Sequence, residues 1–304
     1  MTVIGPLEWE LPETSALRNN IRCGGSAEVF FHGMSLHFYD AHNHLQDERL
    51  SPELESIMAV LEREPIAKMV VNSSCELDWP AVLALARRSS QVIPSFGYHP
   101  WHVKECSPAW QTELIRFLDQ VPSAIGEIGL DRWIDGHDIN LQETVFLWQL
   151  RLAADRNLPV SIHCLKAWGK LLEILEAEPR PKCGFVLHSF GGPQEMVSKL
   201  AQLGAYFSLP GYFAHERKAR QRETFKYVPA DRFLIETDAP DQSLPPDRVE
   251  YPLNDASSGK ELNHPGNLRA VYQFAADLLG ETIESLADRV QTNFRRLFGT
   301  LMDR

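Results

Sequence analysis

The chain has 304 residues, 44% hydrophobic and 23% charged, with a formal net charge of -11. This length and balance fit one large domain or two modest ones and exclude a fibrous or disordered chain. The acidic excess argues against a broad grip on duplex nucleic acid, whose affinity comes from phosphate contacts, and five scattered cysteines without a C-x-x-C pair argue against a disulfide framework or a thiolate zinc site.

Residues 1–33 show weak periodicity and a "CGG" break, and Met34 stands just before the first strand-like run. The expectation is an irregular extension over 1–33, with Met34 as the native start, followed by a single domain over 34–304. No apolar run approaches the roughly 20 residues of a membrane span, and the first basic residue is Arg18, so the start lacks the basic region of a secretory signal. The expected location is the cytoplasm, with no membrane association and no stable protein partner.

From there, short β-branched or apolar runs alternate with longer helical patterns. The strand-like runs are "LHFYDAH" (36–42), "KMVVNSS" (68–74), "VIPSFGYHP" (92–100), "AIGEIGLD" (124–131), "PVSIHC" (159–164), "GFVLHSF" (184–190), "AYFSLPG" (205–211) and "RFLIETDAP" (232–240). Between them, segments such as 81–88, 143–156 and 170–178 repeat apolar residues at three and four, the helical spacing. Eight such strands alternating with helices predict an α/β fold of the (β/α)8 TIM-barrel type. An open doubly wound sheet is disfavoured because no G-x-G-x-x-G follows the first strand. The polar, proline-rich stretch 245–267 predicts a loop over the barrel mouth, and the tail predicts two closing helices.

In such a barrel the active site lies at the carboxyl ends of the strands. There the sequence places His42 and His44, then His99, Glu127, His163, His188 and Asp238. Singly, a histidine at a strand end is more often a hydrogen-bonded structural residue, Glu127 could cap a helix, and Asp238 could anchor a turn. Together they are the ligand types of Zn, Mn, Fe or, with more oxygen, Mg. They outnumber the needs of one tetrahedral ion, which favours two divalent ions sharing a bridging carboxylate and, with it, hydrolysis. Asp40 shares the alternation of His42 and His44 and either supports a ligand histidine or ends the strand's inward face.

The motifs "DAHNHL", "GYHP", "GEIGLD", "PVSIHC", "VLHSFGG", "IETDAP", "NHPGN" and "NFRRLFG" resemble, in order and spacing, those of the TatD-like metal-dependent hydrolases of the amidohydrolase superfamily. The resemblance implies a TIM-barrel hydrolase with a divalent-metal centre, acting as a deoxyribonuclease on DNA ends or single-stranded DNA. It implies that His42 and His44 bind the first ion, His163 and His188 the second, and that Glu127 bridges. Asp238 would complete the first ion's shell and orient, or take the proton from, the attacking water, and His99 would face the substrate phosphate.

Three positions depart from the family pattern. Gln46 stands where the first motif commonly has aspartate, Leu165 where an arginine follows the fifth-strand histidine, and His264 where the mouth loop commonly has glutamate. Arginine grips phosphate bidentately and lysine is not its geometric equal, so Lys166 or the run "RKARQR" (217–222) would have to supply substrate-binding charge, although such a run is more often a solvated face. The leading expectation is a phosphodiester hydrolase. Alternatives are a metal-dependent ester or amide hydrolase, including one acting on aminoacyl ester bonds, and a degenerate barrel serving as a binding module.

Overall fold

The computed structural model describes residues 36–302; the expected extension over 1–33 and the boundary at Met34 lie outside them. Eight parallel strands run in sequence order around a barrel: β1 (Phe38–Asn43), β2 (Ile66–Asn72), β3 (Val92–Phe96), β4 (Ala124–Asp131), β5 (Val160–Leu165), β6 (Phe185–Leu187), β7 (Ala205–Pro210) and β8 (Phe233–Glu236). They read as near-continuous apolar runs because a parallel sheet sheathed in helices is buried on both faces. The sheath consists of α1 (Leu54–Arg63), α2 (Trp79–Arg88), α3 (Trp110–Leu118), α4 (Ile139–Arg156), α5 (Trp168–Ala177), α6 (Val197–Gln202), α7 (Ala219–Thr224), α8 (Leu268–Leu279) and α9 (Ile283–Phe298). Among the described residues no helix is long and apolar enough to cross a membrane.

Local chemistry sets the helix ends. Asp138 accepts the Leu141 N–H to start α4, and Asn157, left-handed at φ 50°, ends it. Gly280 at φ 69° stops α8, and Thr282 then caps α9 by accepting the Ser285 N–H.

The seam between β1 and β8 is closed largely by side chains and by backbone just past the strands. Asp238 N–H donates to the His42 carbonyl at 2.9 Å and His44 N–H to the Ala239 carbonyl at 2.7 Å. Deeper in the seam, Asp40 accepts from Thr237 Oγ1 at 2.6 Å and Thr237 N at 3.0 Å. Asp40 is thus a clamp that holds β1 to the end of β8, and its Oδ1 also accepts the His42 N–H at 3.2 Å.

The Tyr272 hydroxyl on α8 accepts the Tyr39 N–H at 2.9 Å and donates to the Tyr39 carbonyl at 3.0 Å. Both groups are buried, so Tyr272→Phe leaves two backbone groups unpaired at about 1–3 kcal/mol each. The expected result in urea unfolding is a loss of roughly 2–6 kcal/mol; an unchanged midpoint would contradict it.

Two expectations are corrected. The strands expected to end in His44, His99, His188 and Asp238 end at Asn43, Phe96, Leu187 and Glu236, so these residues sit on the turns just beyond. The chain leaves the ladder there because its backbone bonds elsewhere, as when His99 N–H donates to the Ser74 carbonyl at 2.9 Å. The stretch expected as a loop contains an antiparallel hairpin, β9 (Pro252–Asn254) with β10 (Glu261–Asn263). Three-residue strands are too short to show a period of two.

Candidate metal centre

At the carboxyl ends of the strands, Glu127 is the hub. Its Oε1 lies 2.8 Å from His188 Nε2 and 2.9 Å from His163 Nδ1, while its Oε2 lies 3.2 Å from His44 Nε2 and 3.4 Å from His42 Nε2. Asp238 Oδ1 stands 3.6 Å from both His42 Nε2 and His44 Nε2. The six residues read as ligands from sequence therefore converge, and the two oxygens of Glu127 face two separate pairs of imidazoles.

The barrel is built to bring them this close. A Cβ on Gly126 would stand 2.8 Å from Ser161 Cβ and 2.9 Å from both Asn72 Oδ1 and Ser95 Oγ. Only glycine lets β4 pass through that space and deliver Glu127 to the centre. Asp238 adopts φ 53°, a left-handed conformation that costs a non-glycine residue of order 1–3 kcal/mol and is concentrated at functional sites.

Hydrogen bonds fix which ring nitrogen faces inward. His44 Nδ1 donates to the Asn72 carbonyl at 2.7 Å, which leaves a lone pair on Nε2 in the neutral ring. His163 Nε2 donates to Asp131 Oδ2 at 2.9 Å, which leaves a lone pair on Nδ1. His42 Nδ1 is held by Ser161 Oγ at 2.7 Å. Outer bonds of this kind, to carbonyls and carboxylates, orient histidines that ligate metals.

Inside the centre, lone pairs face carboxylate oxygens at short range, and buried Glu127 Oε1 makes no hydrogen bond. A cation resolves that crowding, and this nitrogen and oxygen donor set fits a divalent one. The electrostatics agree. Burial works against charge on every member, yet Glu127 pulls His44 and His188 upward, Asp131 and then Glu127 pull His163 upward, and the facing His188, His99 and His42 hold Glu127 well below the usual carboxylate range.

His99 is different. Its Nε2 lies 3.4 Å from Glu127 Oε1, close enough to join Glu127 and His163 as a ligand triad. However, its Nδ1 accepts the Trp101 backbone N–H at 3.1 Å, so the neutral ring carries its proton on Nε2. It presents a donor, as suits a residue facing substrate oxygen. Burial pushes its imidazole down to about 4, which keeps it neutral.

The departures from the family pattern fall in distinct places. Gln46 Nε2 donates to the Asn72 carbonyl at 2.7 Å, the same oxygen that receives His44 Nδ1–H, and to Asp78 Oδ2 at 3.0 Å. Leu165 is 38% exposed and lines the mouth of the cavity, whereas Lys166 lines an adjoining depression away from the centre.

His264 lies under the hairpin instead of in the cavity. Its Nδ1 accepts the Gly266 N–H at 2.8 Å and its ring stacks on Tyr251 at 5.2 Å. Burial pushes its imidazole down to about 4, so as pH falls the unfolded chain takes up this proton first. Its contribution to stability is complete above about pH 6.5 and is lost from there down to about pH 4. His264→Asn keeps an acceptor but removes the titration, so the variant should lose less stability than the wild type between these limits. Parallel pH profiles from urea unfolding would refute this.

Sequence reasoning missed Asp131, Asn72 and Ser161, which orient the histidines, and Gln242, whose Nε2 bonds Asp238 Oδ2. Asp131 is visible as the end of "GEIGLD", but its partner lies 32 residues away. Nothing local announces the pairing.

A parallel eight-stranded barrel with a buried imidazole and carboxylate cluster at its carboxyl rim defines a metal-dependent hydrolase of the TIM-barrel class. The chain belongs to the TatD related DNase family, whose model matches residues 39–299. It is 35% identical over 226 residues to the 3'-5' ssDNA/RNA exonuclease TatD of Pantoea vagans, covering 70% of this chain and 82% of that one. It is 29% identical to the metal-dependent hydrolase YabD of Bacillus subtilis, covering 86% and 98%. Among solved structures, YJJV, a TatD homolog from Escherichia coli K12, superposes with a TM-score of 0.78 at 26% identity, covering 88% of this chain and 99% of that one.

Proposed function

We propose that this protein is a divalent-metal-dependent phosphodiesterase that removes nucleotides from the ends of single-stranded DNA. The observation that carries the reading is Glu127, whose two oxygens face separate imidazole pairs. His42, His44 and Asp238 would hold one ion and His163 and His188 a second, with Glu127 between them. When bound, such ions supply Lewis acidity and neutralise charge on the phosphoryl oxygens.

The chain's own groups supply the rest. Gln242 ties down one oxygen of Asp238 and leaves Oδ1 facing the cavity. That oxygen is placed to take the proton from an attacking water. His99 offers its Nε2–H to a phosphoryl oxygen beside Glu127.

A second reading, hydrolysis of an ester or amide carbonyl such as an aminoacyl ester, draws on Leu165. It puts an apolar side chain at the mouth, and Arg49, which lines the same cavity, is held by Asp47 at 2.7 Å and Asp241 at 2.8 Å. The two readings separate on one panel. Metal-stripped protein is reloaded with Mg, Mn or Zn and offered end-labelled single-stranded DNA, duplex DNA, RNA, aryl esters and an aminoacyl ester. A ladder of shortened single strands supports the first reading; faster turnover of the esters would replace it with the second.

A further inference from the structure

The metal cavity, of about 350 Å³, does not end at its mouth. Trp133, Leu165 and Gln242 are shared with a neighbouring depression of about 450 Å³. Leu165, Gly191 and Gln221 are shared in turn with a third depression, lined also by Lys166 and Arg220. The three form one trough leading from the centre across an apolar step.

The chemistry changes along it. The step carries Trp133, 58% exposed, beside Leu165. Beyond it Lys218 lies over the Tyr212 ring, with Nζ 4.9 Å from the centroid. The basic run 217–222 divides here. Arg217 bonds the Tyr212 hydroxyl, and Arg222 bonds the carbonyls of Phe213 and Ala214, so these two hold the loop together. Lys218 and Arg220 face the trough, and among the described residues neither has a carboxylate within ion-pair distance. Lys166, which adopts φ 54°, is placed on the same side.

We infer that this trough is the track for the uncut part of a single-stranded nucleic acid: a base stacks on Trp133 and the following phosphates meet Lys218, Arg220 and Lys166. Aromatic stacking and a basic wall are the two sequence-tolerant means of holding a single strand. The wall supplies, beyond the scissile group, the charge that Leu165 does not supply beside it. The inference rests on the nuclease reading, and it is tested by binding so that the two can fail separately.

The test uses metal-loaded protein and end-labelled oligothymidylates with phosphorothioate linkages, which resist cleavage, followed by fluorescence anisotropy at several salt concentrations. Wild type should bind a hexanucleotide at least about tenfold tighter than a dinucleotide, with a log–log salt slope steeper by about 0.7 for each added phosphate contact. Lys218→Ala/Arg220→Ala should narrow that length dependence severalfold and lose about two contacts' worth of slope, while Lys218→Arg/Arg220→Lys retains both. Trp133→Ala should weaken the hexanucleotide roughly 5- to 150-fold. Length dependence and slope unchanged in the double alanine variant would overturn the inference. Binding that follows it in a protein that cuts no phosphodiester would overturn the nuclease reading and leave the track standing.

Discussion

Replacing Glu127 with glutamine lowers nucleotide release by about 10³-fold or more and strips the protein of bound divalent metal. The substitution keeps the shape of the side chain and removes the charge that both pairs of imidazoles face. Changing a group that merely supports a metal ligand costs about 10- to 100-fold in affinity or activity, and Glu127 touches every imidazole of the centre directly. Elemental analysis alongside the release rate checks this. A Glu127→Gln variant with full metal content and at least a tenth of wild-type activity would refute the bridging role.

The second large effect belongs to Asp238. Asp238→Asn removes the group proposed to receive the proton, a function worth roughly 10²–10⁴-fold, while the asparagine amide remains available to Gln242. The expected signature is a fall in kcat with KM little changed, because the track for the strand lies on the other side of Leu165. A variant whose KM rises while kcat holds would show instead that Asp238 binds substrate.

Much of this was legible in the sequence because barrel strands are apolar runs and most residues that matter lie in them or just past their ends. His42 lies in β1 with His44 just past its end, Glu127 lies within β4, and His163 within β5. Their convergence follows from the topology alone. The support for these residues was not legible, because it is made by partners far apart in the chain. Tyr272 satisfies the backbone of Tyr39 from 233 positions away, and Asp40 and Thr237 meet across 197. Asp131 reaches His163 only when β4 and β5 lie side by side.

The departures from the family pattern show the same limit. In the sequence, Gln46, Leu165 and His264 look like one cluster of doubts about the substrate. In the folded chain, Gln46 shares the carbonyl that orients His44, His264 caps a turn beneath the β9–β10 hairpin, and Leu165 alone lines the cavity mouth. The basic run 217–222 likewise reads as a uniform charged face, yet its members split between bonds within the loop and the trough according to the path of the turns after β7.

The central claim, that this cluster is a divalent-metal centre for phosphodiester hydrolysis, is tested most directly by titrating metal into stripped protein while following nucleotide release from a labelled single strand. Release should rise in step with ions bound and saturate when the centre is full, with no rise for Glu127→Gln. Folded protein that loads with metal to saturation and releases no nucleotide with any of Mg, Mn or Zn would contradict it.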